Sequence, residues 1–415
     1  MLFVYRFLFM LIITMGAPFL LIKAFAGRHG IKERLGFIKK RKSNAKLYWF
    51  HAASVGELKI LSLIMPKIRI KNHDIDFAVS TTTITGKTMA TKIFGDYAAI
   101  FLHPVELKSA VLRTIKRINP ERLIVVETEL WPLTLSVALD HGVKPYLING
   151  RMSTGSFGWY KMFRPLFFPA INRFERVIVQ TGQDADRYEK LGAENISIVG
   201  NIKYDQVLNG DKIKPPDINF DNNDNLMFVA GSLRKGEDDI LIDTVNEAFD
   251  RKLPYQFIFV PRHMKDVESI CGRLKERSIK YILWSDYGGE AIDEKTILVV
   301  NTMGELPAFY SVADIAFVGG SLVPIGGHDP AEPASLGKTV IFGPYMDNAF
   351  EAASALLNSG GATEVKNSDE IVEFIDKIGE ARESLKDRGE RCRNAVKSLS
   401  GASERTVRLL MGEDD

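Results

Sequence analysis

Residues 51–57 read HAASVGE, with a glutamate three positions after Ser54 at the junction between an apolar run, LYWF, and a helix-like pattern, LKILSLIMPKI. Two chemistries fit. Ser54 and Glu57 have the spacing of a capping box, in which the two side chains answer the orphan N–H groups of a helix start. A carboxylate at a strand–helix junction is also placed to act as a general base, taking the proton of an attacking hydroxyl. Further on, VVETELWP sets Glu127 and Glu129 two residues apart, on one face of an extended segment. Two carboxylates so close are costly unless solvated or paired with a cation. The structural alternative is that they cap a helix starting near Pro132. Lys203, in GNIKYD, is a candidate cation for the same site, or else an ordinary surface lysine.

The second half carries AGSLRKGE, VPRH, NTMGE and GGSLVPIGGHDPAEPA. Gly319, Gly320, Gly326 and Gly327 allow close backbone approach, and Pro330 ahead of AEPASLG reads as a helix start. A helix N-terminus reached through glycines suits a phosphate. A plain strand–loop–helix connection would look the same, but Arg262 after one strand and Glu305 after another point to a nucleotide.

These residues share a placement. LYWFH, DIDFAV, YAAIF, RLIVV, YLIN and RVIV alternate with helical stretches such as 57–71 and 131–141, and LMFVAGS, QFIFVPRH, ILVVNTMGE, DIAFVGGS and KTVIFGP form a second series. The alternation predicts parallel sheets with helices on both faces. Residues 205–224 hold two prolines among polar residues and read as a linker; the tail from about 368 to 411 reads as helical. The expected organisation is an anchor over 1–27, an α/β domain over 28–204, the linker, and a second α/β domain with helical tail over 225–415. Two doubly wound domains in tandem imply a cleft between them, with ligands beyond the carboxyl ends of the strands. Every motif above follows a strand.

With 415 residues, 46% hydrophobic and 26% charged, the chain is long enough for two domains of roughly 150 to 200 residues each. Cys271 and Cys392 lie far apart, and no Cys/His spacing resembles a zinc site. A reducing compartment and no structural metal are expected. The net charge of +2 hides a split: residues 23–46 hold nine Lys/Arg against one acid, Glu33, whereas the rest, Arg6 apart, holds 44 basic and 51 acidic residues. Ahead of this basic collar, residues 7–22 are sixteen uncharged residues. A cleaved signal peptide would export the collar against the positive-inside bias, and Gly16 and Pro18 would weaken a core helix. A membrane anchor, spanning or half-inserted, fits best, because Lys/Arg beside an apolar segment bind anionic cytoplasmic lipid. Residues 156–168, SFGWYKMFRPLFF, mix aromatics with Lys161 and Arg164 and read either as a second membrane-facing surface or as a core helix. No nucleic-acid partner is expected.

WFHAASVGE, VETELWP, NGRMS, GNIKYD, VPRH, NTMGEL and GGSLVPIGGHDPAEPA, in this order behind a short apolar N-terminus, together resemble the bacterial 3-deoxy-D-manno-octulosonic acid (Kdo) transferases of lipopolysaccharide synthesis. The likeness runs from about residue 28 to about residue 345. It implies a GT-B glycosyltransferase that moves Kdo from CMP-Kdo to a lipid A precursor (lipid IVA) with inversion, on the cytoplasmic face of the inner membrane of a Gram-negative cell. The glutamate matched by Glu57 is the general base of that family, and Glu127 and Lys203 fall on positions that stabilise its transition state. Pro261, Arg262, Met303, Gly304, Glu305, Asp329, Pro330, Ala331 and Glu332 match its CMP-binding segments. The family usually has asparagine where this chain has Asp329, whose charge either weakens nucleotide binding or serves only to cap the helix.

The Asp-x-Asp pairs, Asp74/Asp76 and Asp184/Asp186, stand at the starts of a strand and a helix, so metal-independent chemistry with no cofactor is expected. Two rival readings share the fold. A nucleotide-sugar epimerase would not need the apolar N-terminus or the collar, and a non-catalytic, membrane-tethered binding protein would not keep Glu57.

Overall fold

Runs such as LYWF and LIVV are apolar at consecutive positions, as a strand buried on both faces of a parallel sheet must be. In the computed structural model, which describes residues 30–207, 213–221 and 224–413, they form such strands. The expected anchor over 1–27 lies outside the described residues. Among the described residues no helix is long and apolar enough to cross a membrane.

The first sheet contains β1 (Lys46–His51), β2 (Ile75–Thr81), β3 (Ala98–Leu102), β4 (Arg122–Val126), β5 (Lys144–Gly150), β6 (Arg176–Val179) and β7 (Ile196–Ile198). Their order is β3-β2-β1-β4-β5-β6-β7 and every pairing is parallel. The order reverses between β1 and β4, the place where doubly wound sheets bind ligands. Side-chain alternation divides the core: Trp49, Leu123, Val125 and Leu147 pack on one face, and Tyr48, Phe50, Ile124 and Val126 on the other. Each such side chain contributes roughly 1.5–3 kcal/mol by leaving water.

The second sheet contains β8 (Leu226–Leu233), β9 (Tyr255–Pro261), β10 (Lys280–Leu283), β11 (Thr296–Val299), β12 (Ile315–Val318), β13 (Thr339–Phe342) and β14 (Ala362–Glu364), in the order β10-β11-β9-β8-β12-β13-β14. It too is parallel throughout, with its reversal between β8 and β12. The chain is thus two Rossmann-like α/β units. β7, β10 and β14, which the sequence reading lacks, are edge strands of three or four residues, partly open to solvent. Their burial is too incomplete to produce an apolar run.

One unit comprises the described residues up to Asp205 together with those from Ser400 onward; the other runs from Gln206 to Leu399. This corrects the assignment of all of 225–415 to the second domain. The last helix, Ala402–Met411, returns to the first unit, where fully buried Val407 and Leu410 join Leu58, Leu61, Ile64 and Met65 of the helix Val55–Lys71. Asp205 accepts hydrogen bonds from the amides of Gly401 and Ser403, the latter at 2.6 Å, and so holds the start of this helix. Lys67 Nζ donates to Ser403 Oγ at 2.8 Å. An amphipathic period announces a helix with an apolar stripe, not which core receives the stripe.

Truncating a fully buried leucine costs about 2–5 kcal/mol. Leu410→Ala should therefore lower stability by that amount and speed amide exchange in the helix Val55–Lys71. A loss below about 0.5 kcal/mol, the range of ordinary surface substitutions, would mean that the last helix does not complete the first core.

Candidate active-site residues in the two domains

In the first domain the central residue is Glu57. β1 ends at His51, Ser54 adopts extended backbone (φ −119°, ψ 163°), and the helix begins at Val55. Ser54 Oγ accepts from the Glu57 amide at 3.2 Å and donates to Glu57 Oε1 at 2.7 Å, while Glu57 Oε2 accepts from the Ala53 amide at 2.8 Å. This is a capping box displaced by one residue, since the carboxylate reaches the amide before the cap rather than that of the cap itself. The carboxyl is also buried, with the residue 6% exposed. Burial wins over the hydrogen bonds from Ser54 and Ala53, and with Glu129 and Glu127 adding repulsion the pKa rises to about 7. Glu57 therefore combines two properties. It caps the helix, and it is half ionised near neutral pH, which makes it a stronger base than an ordinary carboxylate.

Glu127 follows β4 in the left-handed region, with φ 58°, and Asn149 at the end of neighbouring β5 has φ 53°. Non-glycine residues seldom adopt this backbone, and they do so mostly where the surrounding structure needs a side chain re-aimed. Glu127 places its carboxylate 3.8 Å from Lys203 Nζ. Asn149 Oδ1 accepts from the Ile202 amide at 3.1 Å, which fixes the chain just ahead of Lys203. Glu129 accepts from Trp131 Nε1 at 3.0 Å. Burial raises its pKa, an effect the Trp131 bond opposes and Glu127 reinforces. The structure thus brings Glu57, Glu127, Glu129 and Lys203 together at the carboxyl end of the first sheet. Behind them lies a buried polar chain that the sequence reading missed. His51 meets Ser80, Ser80 Oγ meets His103 Nδ1 at 3.4 Å, and His103 Nε2 meets Thr134 Oγ1 at 3.4 Å. Thr134 donates at 2.6 Å to Glu106, whose carboxylate also takes the Leu133 and Thr134 amides at 2.8 Å. It is therefore Glu106, not Glu127 or Glu129, that caps the helix Pro132–Asp140.

In the second domain Pro261 ends β9 and Arg262 follows it, its amide donating to the Leu233 carbonyl at 3.0 Å. Arg234 donates to His263 Nε2. His328 is pushed down to about 4 by burial and then by Arg262, Arg234 and His263. These four side chains make a basic cluster at the ends of β8 and β9 and in the glycine-rich loop. Acidic groups stand beside it. Burial, then Glu332, Asp329 and Glu237, keep the Tyr310 hydroxyl well above its ordinary range. That hydroxyl explains Gly231, where an added Cβ would lie 2.1 Å from it. Met303 is 68% exposed, Gly304 has φ 88°, and Glu305 starts the helix Leu306–Val312 while accepting from Thr302 Oγ1 at 2.6 Å.

The glycine-rich loop offers fewer open amides than its sequence implies. Fully buried Glu237 accepts from the amides of Gly320, Ser321 and Leu322 at 2.6, 2.9 and 2.9 Å, and from that of Arg234 at 3.0 Å. The Gly327 and His328 amides go to the Gly320 and Gly319 carbonyls. Asp329 Oδ1 accepts from the Ala331 amide at 3.0 Å, so it caps the helix Ala331–Ser335, which is only five residues long. Positive charge for an anion must come from the two arginines, Arg234 and Arg262. The one trace of Glu237 in the sequence is its spacing, three residues after Arg234, as in a cap. One residue of each Asp-x-Asp pair has a structural partner: Asp76 pairs with Arg41 at 2.7 Å, and Asp184 accepts from the Met152 amide at 2.8 Å. Among the described residues no group of three or more His, Cys, Asp or Glu is arranged to hold a metal ion.

The raised pKa of Glu57 carries a stability prediction. Between its unfolded value of about 4.5 and its folded value of about 7, the native state binds more proton than the unfolded state, so stability falls as pH rises through this window. Glu57→Gln should be less destabilised than wild type on going from below 4.5 to above 7, as read from urea midpoints. Parallel pH dependence of the two proteins would show that Glu57 titrates as an exposed carboxylate.

A model of the 3-deoxy-D-manno-octulosonic acid transferase (kdotransferase) family matches residues 29–206. A bifunctional glycosyltransferase/methyltransferase of Fusobacterium nucleatum is 34% identical over 371 residues, which are 85% of this chain and 57% of that longer protein. A 3-deoxy-D-manno-octulosonic acid transferase of Haemophilus influenzae is 28% identical over 390 residues, covering 92% of this chain and 91% of that one. A crystal structure of a glycosyltransferase from Rickettsia africae has a similar fold, with a TM-score of 0.60 over 89% of this chain and 99% of that one; at 12% identity the likeness speaks for fold alone. Taken with the order of the motifs along both domains, these matches support a member of the Kdo transferase family, a glycosyltransferase.

Proposed function

We propose that the protein is an inverting GT-B enzyme that transfers Kdo from CMP-Kdo to a lipid A precursor of the lipid IVA type. The observation that carries this reading is Glu57, a buried carboxyl with pKa about 7 held at a strand–helix junction by Ser54 and Ala53. Each of its oxygens keeps a lone pair for an incoming hydroxyl. As that hydroxyl attacks the anomeric carbon of Kdo, Glu57 takes its proton, and the bond from the anomeric carbon to the CMP phosphate breaks with its electrons going to CMP. Glu127 and Lys203, 3.8 Å apart, supply a fixed dipole to the positively charged sugar and its carboxylate in the transition state.

On the donor side, Arg262 and the basic side chains around it meet the charge that builds on the phosphate, a role that needs no metal. Pro261, Met303, Gly304, Glu305, Asp329, Pro330, Ala331 and Glu332 border the nucleotide, with exposed Glu332 accepting from its hydroxyls. The acceptor arrives from the cytoplasmic face of the inner membrane. Support for docking on anionic lipid comes from the basic collar, from Phe37 (51% exposed) beneath Arg113, and from Trp159 and Met162 on a helix, Thr154–Met162, with no fully buried residue.

Incubation of the protein with CMP-Kdo and lipid IVA, followed by mass spectrometry of the lipid, tests the reading. Wild type should add Kdo, and Glu57→Ala should lose roughly 10² to 10⁴ in rate while still binding CMP. Retention of more than about a tenth of the rate, well short of the loss expected for a general base, would leave Glu57 as a cap alone. Arg262→Ala should weaken CMP binding roughly tenfold or more in calorimetry, as loss of a charge-assisted hydrogen bond does. Unchanged affinity would remove Arg262 from the donor site.

A further inference from the structure

His51 ends β1 with its ring buried, 1% exposed. Its Nδ1 lies 3.1 Å from the Ser80 carbonyl oxygen and 3.0 Å from Ser80 Oγ. A carbonyl oxygen only accepts, so in the neutral ring Nδ1 carries the proton and Nε2 a bare lone pair. Burial keeps the ring neutral, with a pKa pushed down to about 4. Nε2 is buried with no hydrogen-bond partner, and the group standing opposite it, at 3.9 Å, is Glu129 Oε2.

An ionised Glu129 would turn a second lone pair toward the first, at a site already holding Glu57 and Glu127. An unpaired buried acceptor is costly, and facing it with an anion adds to the cost. A proton on Glu129 removes both difficulties. A hydroxyl oxygen can donate to Nε2 while accepting from Trp131 Nε1, which lies 3.0 Å from that same Oε2. Rotation about the last side-chain bond is the movement that would bring Oε2 from 3.9 Å into reach of Nε2. The other groups around the pair are accounted for. His103 stacks on His51 with ring centroids 3.9 Å apart and is itself held neutral by burial, by His51 and by Arg34. Tyr160, whose hydroxyl donates to the Thr128 carbonyl at 3.0 Å, is pushed up to about 12 by burial and then by Glu129. Lys203 is engaged with Glu127.

We propose that His51 is a positioning residue that holds Glu129 in its acid form beside Glu57. The direction of the Glu129 shift, upward through burial, agrees with this. The consequence concerns the base. A charged Glu129 adds to the repulsion that raises Glu57, whereas a neutral one withdraws that contribution and leaves burial as the main cause, so Glu57 is the more ionised at neutral pH. That kinetic consequence rests on the Kdo-transfer reading; the protonation of Glu129 does not.

Infrared difference spectroscopy on the full chain near neutral pH tests the protonation directly. Wild type minus Glu129→Gln should contain the C=O stretch of a protonated carboxylic acid. Glu129→Gln, whose amide still donates to Nε2, should keep Kdo transfer within a few-fold and an unshifted acidic limb in kcat/KM. His51→Phe, which removes the lone pair, should abolish the band and move that limb upward by about one pH unit, as an added like charge nearby does. Should His51→Phe fail to fold, the Glu129→Gln comparison decides alone. Absence of the band from the difference spectrum overturns the proposal, as does a loss of 10²-fold or more in transfer by Glu129→Gln, the loss expected when a catalytic proton-transfer group is removed. If wild type itself shows no transfer, it is the functional reading that fails, and the infrared result still stands or falls by itself.

Discussion

A helix N-terminus favours a negative carboxylate, and a buried site disfavours one. Glu57 sits where the two forces meet, and the first domain is organised around that opposition. Its capping bonds to Ser54 and Ala53 fix where the carboxyl points, while the packing of Leu58, Leu61 and Phe50 around the same junction excludes the water that would keep it acidic. The balance ends on the side of burial. Strengthening the cap would lower the proton affinity, and opening the core would do the same, so the helix and the sheet end must both be as they are.

The second domain meets a related demand in the opposite way. Backbone amides next to glycines are a natural anion site, yet here a fixed protein carboxylate, Glu237, occupies those of Gly320, Ser321 and Leu322. The loop is thereby built without a ligand, and an anion placed there would meet side chains. Arg234, Arg262, His263 and His328 are the ones brought together. Asp329 follows the same logic, spending its charge on the Ala331 amide.

What the sequence disclosed follows from the range of each signal. Interior strands are continuous apolar runs because both faces are covered, so β1, β4, β8 and β12 are legible, whereas the edge strands β7, β10 and β14 are not. The carboxylates are legible because they follow β1 and β4, and a parallel sheet gathers its strand ends on one side. The polar chain from His51 through Ser80, His103 and Thr134 to Glu106 is not, since its members come from separate elements and, His51 apart, none stands in a telling motif. The home of the last helix escapes for a similar reason, as its stripe is local and its partner, the helix Val55–Lys71, lies hundreds of residues away.

All of this turns on the proton affinity of one carboxyl. Carbon-13 titration of the Glu57 side chain in the full-length protein measures it without reference to any substrate. The expected midpoint lies near the folded value of about 7. A midpoint at the ordinary value of 4.5 would mean that the cap prevails over burial, and Glu57 would then lack the basicity on which the proposed chemistry depends.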